Sequence, residues 1–188
     1  GAGAEAVDQG ISADAAAALR LANRTLESPL PDEALHALAA RIGADVAFFL
    51  RGGVQLGTGD GTELEPLRLP CDFHVVLLLP RGSVKESTAA VYRSFDERQG
   101  AAGWEGRRAT LLAALARIRE PAGLARLPPN DLASSAHSRR LRELGAFRAD
   151  VTGAGPAVYG LFCDRREAEA ACAALRPFGE TWLTEPAC

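Results

Sequence analysis

The amino-acid sequence predicts an α+β fold in two parts, the second with a ferredoxin-like βαββαβ order of strands and helices. Two observations predict this class. Apolar residues recur at helical spacing through most of the first 45 residues. Near the end of the chain, two apolar segments joined by a glycine-rich turn precede a helical segment and a further β-rich segment. A strand and several helices are expected before these segments, so the predicted order of strands and helices is that of the split βαβ motif.

The first part is predicted to hold two helices followed by two short strands. Ser12 is expected to be the N-cap of the first helix, and Gly43 is expected to end the second. The five apolar residues 46–50 fit either a buried strand or a short helical segment, and their pattern does not decide between the two. The expected helices are residues 13–26 and 31–42, and the expected strands lie near residues 54–56 and 62–67.

Pro70 marks the expected boundary between the two parts, residues 1–69 and residues 70–188. In the second part, Asn130 is expected to cap the third helix and Gly145 to end it. The expected elements are a strand at 73–79, helices at 87–96, 107–119 and 130–144, strands at 147–151 and 157–162, a helix at 165–175 and a strand near 180–184.

Composition places the chain among ordinary cytoplasmic globular proteins. Hydrophobic residues make up 47% of the sequence and charged residues 24%, and the net charge of −3 does not favour nucleic acid or anionic lipid as a partner. The longest apolar run, Val75 to Leu79, is too short to span a bilayer. Four scattered cysteines without a CxxC pair predict reduced thiols and no metal or disulfide framework. We expect no nucleic-acid or membrane partner, and a monomer or a weak homodimer.

Two segments of the first part could carry chemistry, although each also has an ordinary structural explanation. Gly10 and Ser12 come just before the expected helix, whose start could bind a phosphate or could simply be a capped helix end. Asp45 lies between Gly43 and the apolar run. A carboxylate beside apolar surface could act as a base, or it could be a solvated turn residue.

Two segments of the second part have the same ambiguity. Residues 152–156 read Thr-Gly-Ala-Gly-Pro, which is typical of a hairpin turn but also lets backbone N–H groups approach a phosphate or a substrate. Asn130 and Asp131 are more typical of a helix cap than of a binding site.

Together and in this order, the segments resemble the GHMP kinase family. Residues 10–17, "GISADAAA", resemble the end of the family's glycine-rich motif, and "LAARIGADVAFFLRGG" resembles its L-A-x-x-L-G-A-D-V-P-F-F-L-x-G-G block. "STAAVY" and "PPNDLASSA" are similar to two further family segments, and "VTGAGPAVYGLF" is similar to the closing S-G-S-G-P-T-V-F-G-L-F motif. The sequence of the second block resembles, in particular, the branch of the family that phosphorylates 4-diphosphocytidyl-2-C-methyl-D-erythritol.

The resemblance implies a role for particular residues. It implies that residues 1–69 are part of the kinase N-terminal α/β domain and that residues 70–188 are its ferredoxin-like C-terminal domain. Asp45 would take the proton from the substrate hydroxyl as that hydroxyl attacks ATP. The residues implied for binding are Gly10 and Ser12 on the phosphates, together with Mg²⁺, and Gly153, Ala154 and Gly155 in a loop that closes on the site.

The sequence also departs from the family pattern. The family's N-terminal segment, with its catalytic lysine and most nucleotide-base contacts, is not found in this chain. Residues 6–9, Ala-Val-Asp-Gln, stand where the family has glycines, and the charge of Asp8 is unfavourable beside phosphates. Two hypotheses follow: part of a kinase for the diphosphocytidyl substrate, or a non-catalytic binding module that keeps the kinase core. A kinase for homoserine, mevalonate or a sugar is less favoured, because of the block around Asp45.

Overall fold

The computed structural model describes residues 8–82 and 87–186, without the side chains of residues 8–11 and 88. The chain divides into two compact units, one that extends to Arg68 and one that comprises Leu69–Pro186. Within the described residues, no helix has the length and apolar character needed to cross a bilayer. Each unit has its own buried core.

The first unit consists of three helices and a two-stranded antiparallel sheet. The elements are α1 (Asp8–Arg24), α2 (Asp32–Ile42), α3 (Ala44–Arg51), β1 (Gln55–Thr58) and β2 (Glu63–Pro66). The apolar run at 46–50 is thus helical. The expected start of the first helix is wrong, because α1 already begins at Asp8 and Ser12 lies inside it instead of capping it.

The core of the first unit is built from small side chains where the helices meet. Ala16 of α1, Ala39 of α2, and Val46 and Ala47 of α3 form its buried cluster. The Arg20 guanidinium donates to the carbonyl oxygens of Phe49, at 2.9 Å, and of Leu50. α1 therefore lies along α3 with both helices running in the same direction, since Ala16 packs near the start of α3 and Arg20 reaches its end.

The second unit has the ferredoxin-like order, as predicted. Its four-stranded sheet has the strand order β4-β5-β3-β6, and all neighbouring strands are antiparallel. The elements are β3 (His74–Pro80), α4 (Thr88–Glu97), α5 (Trp104–Leu115), a 3₁₀ segment (Pro121–Arg126), α6 (Ala136–Glu143), β4 (Arg148–Val151), β5 (Val158–Phe162), α7 (Arg165–Leu175), a short 3₁₀ segment (Arg176–Phe178) and β6 (Gly179–Thr184).

Alternating side chains on the strands separate the second unit into two apolar clusters. The larger cluster lies under α6 and α7, where Val76, Val158 and Phe162 of the central strands pack with Leu141 and Leu175 of those helices. The smaller cluster contains Leu161 of β5 and, from the chain between α5 and β4, Ile118 and Leu124. The turn between β4 and β5 follows the last pair of the ladder that joins these two strands, Val151 and Val158, and so lies at one end of the sheet.

Two expectations for the second unit are wrong. Asn130 does not cap a helix, because residues 130–135 are non-helical and α6 begins at Ala136, where the Ser135 hydroxyl accepts a hydrogen bond from the His137 N–H at 3.2 Å. Cys71 is disulfide-bonded, contrary to the expectation of reduced thiols, whereas Cys163 and Cys172 are free.

Candidate functional site

Asp45 is the second residue of α3, whose N-cap is Gly43, and it is exposed to solvent. The two residues that follow it, Val46 and Ala47, are buried in the core of the first unit. The start of α3 is therefore fixed by packing, while the carboxylate projects from it. The exposed carboxylate can therefore contact a ligand hydroxyl at this surface of the unit.

Gly10 and Ser12 lie in the first turns of α1, at the same end of the helical layer as Asp45. Arg20 contacts the last residues of α3, and Ser12 precedes Arg20 by eight positions, about 12 Å along a helix. Asp45 likewise precedes Leu50 by about 7–8 Å along α3. The two helices thus point the same way, and Gly10, Ser12 and Asp45 lie toward the same end of the unit.

Residues 152–156 form the tight turn between β4 and β5, which we call the glycine loop. The Thr152 N–H donates to the Ala157 carbonyl oxygen at 2.9 Å, and the Gly155 N–H donates to the Thr152 carbonyl oxygen at 2.8 Å. Gly153 and Gly155 have φ angles of 50° and 84°, in the region that favours glycine. A Cβ at Gly155 would also lie only 3.2 Å from a Val151 methyl carbon. The turn itself therefore needs a glycine at position 155.

A cavity of about 600 Å³ lies beside the glycine loop, within the second unit. Ala154 and Gly155 form part of its wall. Side chains with hydrogen-bonding or charged groups contribute the rest of its polar lining: Arg81, Ser94, Ser134, Ser135 and His137. Hydroxyl groups, an imidazole and a guanidinium are suited to a polar or anionic ligand rather than an apolar one.

Asn130 attaches a neighbouring segment to the glycine loop, a role that sequence reasoning missed. Its side-chain amide donates to the carbonyl oxygens of Val151, at 3.0 Å, and Gly153, at 2.7 Å. Its side-chain oxygen accepts from the Leu132 N–H at 2.7 Å. The motif N-D-L pointed to this position, but a helix cap was the simpler interpretation of an asparagine after two prolines.

A buried ion pair on β4 supports the same segment. Asp150 accepts hydrogen bonds from the N–H groups of Asn130, at 2.8 Å, and Val151, at 2.9 Å. The Arg148 guanidinium lies 3.6 Å from the Asp150 carboxylate and donates to the Tyr159 hydroxyl and to the carbonyl oxygens of Leu124, Leu127 and Pro128. Two charged residues at alternate positions of a short strand were the signal in the sequence that could have revealed this network.

The described residues provide few ligands for a metal. No group of three or more His, Cys, Asp or Glu side chains within residues 8–82 and 87–186 is arranged to hold an ion. A magnesium ion bound mainly through substrate phosphates needs only one or two protein oxygens. The Ser12 hydroxyl and the Asp45 carboxylate are oxygen donors of that kind, so the residues present fit a phosphate-bound magnesium ion.

The fold and these motifs define a class, and comparison with known proteins agrees. The family of the GHMP kinases N terminal domain matches residues 11–53, which include Asp45, and the GHMP kinases C terminal family matches residues 139–181, which include the glycine loop. Both parts of the chain thus match GHMP kinase families, which confirms the resemblance inferred from the motifs and the predicted fold class.

Curated proteins similar to this chain share one kinase name. A 4-diphosphocytidyl-2-C-methyl-D-erythritol kinase from Desulfitobacterium hafniense (strain Y51) is 36% identical over 186 residues, which cover 93% of this chain and 62% of the relative. One of the same name from Nocardia farcinica (strain IFM 10152) is 40% identical over 176 residues, 88% of this chain and 56% of the relative. The chain thus spans about three fifths of the length of such relatives.

Solved structures agree with the sequence relatives. A crystal structure of 4-(cytidine 5'-diphospho)-2C-methyl-D-erythritol kinase is 29% identical with a TM-score of 0.67, and the match covers 94% of this chain and 65% of that one. A homoserine kinase from Cytophaga hutchinsonii ATCC 33406 has 17% identity and a TM-score of 0.56 over 94% of this chain and 64% of that one. At that identity, the second match shows the fold alone.

Proposed function

We propose that the protein transfers the γ-phosphate of ATP to a hydroxyl of 4-diphosphocytidyl-2-C-methyl-D-erythritol, a step of non-mevalonate isoprenoid synthesis in the cytoplasm. The observation that carries this proposal is the placement of Asp45. Asp45 lies in the block whose sequence is typical of kinases for this substrate, at the start of α3, a helix that packs along α1. The names of the relatives support the same substrate.

In the proposed reaction, the substrate hydroxyl oxygen attacks the γ-phosphorus and the bond from that phosphorus to the ADP oxygen breaks. Asp45 orients the hydroxyl and accepts its proton. Gly10 and Ser12, in the first turns of α1, contact the phosphates, Gly10 through its backbone N–H and Ser12 through its hydroxyl. In the second unit, Gly153, Ala154 and Gly155 bind a reactant through their backbone. Ser12 and Asp45 would be the protein oxygens that help to hold a phosphate-bound magnesium ion, and the ion would neutralise charge on the phosphates.

A direct assay tests this function. The protein is incubated with ATP, Mg²⁺ and the diphosphocytidyl substrate, and phosphorus NMR detects a new phosphomonoester. Homoserine and mevalonate serve as alternative acceptors, and we expect no transfer to them. Retained ATP binding without transfer to any acceptor would instead favour the second hypothesis, a binding module that keeps the kinase core.

Asp45→Asn tests the proton acceptor. Because a general base contributes roughly 10²–10⁴-fold to a rate, we expect kcat to fall by at least about 100-fold while the Kd for ATP stays within about twofold. The matched control is Asp32→Asn, which changes an exposed aspartate in the first turn of α2 and should leave kcat unchanged. Near-normal turnover of the Asp45 variant would show that Asp45 is not the base.

A further inference from the structure

We infer that Asn130 is a positioning residue that fixes the backbone of the glycine loop for phosphoryl transfer. The inference rests on the proposed function. Asn130 does not line the cavity beside the loop. Its side-chain amide donates hydrogen bonds to the carbonyl oxygens of Val151, just before the loop, and Gly153, inside it. No other residue type of this size offers two donors on one nitrogen and an acceptor beside it.

The hydrogen bonds of Asn130 specify the orientation of its side chain. The oxygen accepts from the N–H groups of Leu132, at 2.7 Å, and Ala133, at 3.4 Å, so the nitrogen must face the loop. The carbonyl groups of Val151 and Gly153 are thereby held on the side of Asn130. Their peptide planes are fixed as a result, which orients the N–H groups that follow them in the loop.

Asn130 is itself held in place from two sides. The buried Asp150 carboxylate accepts its backbone N–H at 2.8 Å. On the other side, Arg107 donates to the Asp131 carboxylate at 2.9 Å, and Arg98 donates to the carbonyl oxygens of Asp131 and Leu132. Residues 130–132 therefore form a rigid support that connects α4 and α5 to the glycine loop. A loop that relied on its own two turn hydrogen bonds would be free to adopt other conformations.

Asn130→Asp is the sharpest test of this role. The substitution keeps the size of the side chain and the oxygen that accepts from Leu132, but it places an acceptor opposite two carbonyl oxygens. Each lost hydrogen bond is worth up to about a factor of ten, and the new oxygen repels both carbonyls. We expect kcat to fall at least tenfold while the KM for ATP changes by less than about twofold, because the loop is misplaced rather than removed.

Hydrogen–deuterium exchange supplies a readout that does not depend on activity. In the Asn130→Asp variant, we expect the Gly155 amide to exchange at least about tenfold faster than in the parent protein. The matched control is Asn23→Asp, which makes the same substitution at an asparagine of the first unit whose side chain also bonds to backbone, that of Leu30. It should leave both the exchange of the glycine loop and kcat within about twofold of the parent values.

The outcomes separate the inference from the proposed function. If the parent protein transfers no phosphate, the proposed function fails, and the exchange rates alone decide whether Asn130 holds the loop. Unchanged loop exchange in the variant would overturn the inference, as would faster exchange with unchanged kcat in an active protein. If the aspartate variant does not fold, Asn130→Ala replaces it, with the same direction expected for both readouts and a smaller change.

Discussion

Gly160, in the central strand β5, shows how one residue determines the packing of an element. A Cβ at this position would lie 2.8 Å from a Leu141 methyl carbon, 3.2 Å from the Phe162 ring and 3.3 Å from the Ala146 Cβ. Leu141 and Phe162 are themselves fully buried, so neither can move aside freely. The missing side chain is what allows α6 to approach the sheet, and α6 in turn follows the segment that supports the glycine loop.

We expect Gly160→Ala to lower the free energy of unfolding by about 1–3 kcal/mol, because the added methyl group overpacks a filled core. Urea denaturation followed by circular dichroism measures the change. Gly106→Ala is the matched control, since a Cβ there meets no atom within 4 Å and the residue lies inside α5. That control should raise stability by about 0.5–1 kcal/mol. Equal effects of the two substitutions would contradict the packing argument.

Residue-scale features of the candidate site were only partly predictable from the sequence. Asp45 and the glycines of the loop were assigned through the resemblance of their segments to a family, because each alone also fits an ordinary cap or turn, and their roles stay predictions. Asn130 was assigned to a helix cap, because an asparagine caps helices and its true partners, Val151 and Gly153, are about twenty positions away. A hydrogen bond between distant segments leaves no periodic signal, so residue type alone could not reveal it.

At the scale of an element, α3 shows where local pattern fails. Its run of five apolar residues fits a strand as well as a helix, and both Phe48 and Phe49 remain partly exposed. The helix is selected by its surroundings. Gly43 and Gly52 flank it, Val46 and Ala47 pack against α1, and the Arg20 guanidinium binds the carbonyl oxygens at its end. These contacts satisfy groups that a helix end otherwise leaves unpaired.

We expect Arg20→Ala to lower the free energy of unfolding by about 1 kcal/mol, since it removes charged donors from the end of α3. Loss of helical signal on heating or in urea measures the effect. Arg24→Ala changes an exposed arginine one turn further along α1 and should alter stability by no more than about 0.5 kcal/mol. An Arg20 variant as stable as the Arg24 variant would show that the contact does not stabilise α3.

At the scale of the whole molecule, the order of elements was predictable, but the course of the chain between α5 and α6 was not. The strands of the second unit and α7 follow clear periodic patterns, because each has one face in the core around Phe162. Side-chain hydrogen bonds to carbonyl oxygens hold the 3₁₀ segment Pro121–Arg126 and the non-helical residues 130–135 instead. Arg148 donates to Leu124, Arg98 donates to Leu132, and Asn130 donates to Val151. Such contacts depend on the finished tertiary structure, which a local pattern does not contain.

The two units also differ in how much apolar side chain they bury. The cluster of the first unit consists of three alanines and one valine, whereas that of the second contains leucine, valine and phenylalanine side chains on both faces of its sheet. Burial of apolar area scales with these sizes, and small domains bury the smallest fraction of their surface. The second unit should therefore be the more stable of the two when each is produced separately.

We expect a polypeptide of residues 69–188 to unfold in a single cooperative transition, with an m-value of about 1–3 kcal/mol per M urea. Residues 1–68 alone should lose helical signal gradually, without a defined midpoint, because their small core does not offset the entropy of ordering the chain. Circular dichroism in urea compares the two under the same reducing conditions. A sharp transition for residues 1–68, or a gradual one for residues 69–188, would contradict the assignment of stability to the sheet-containing unit.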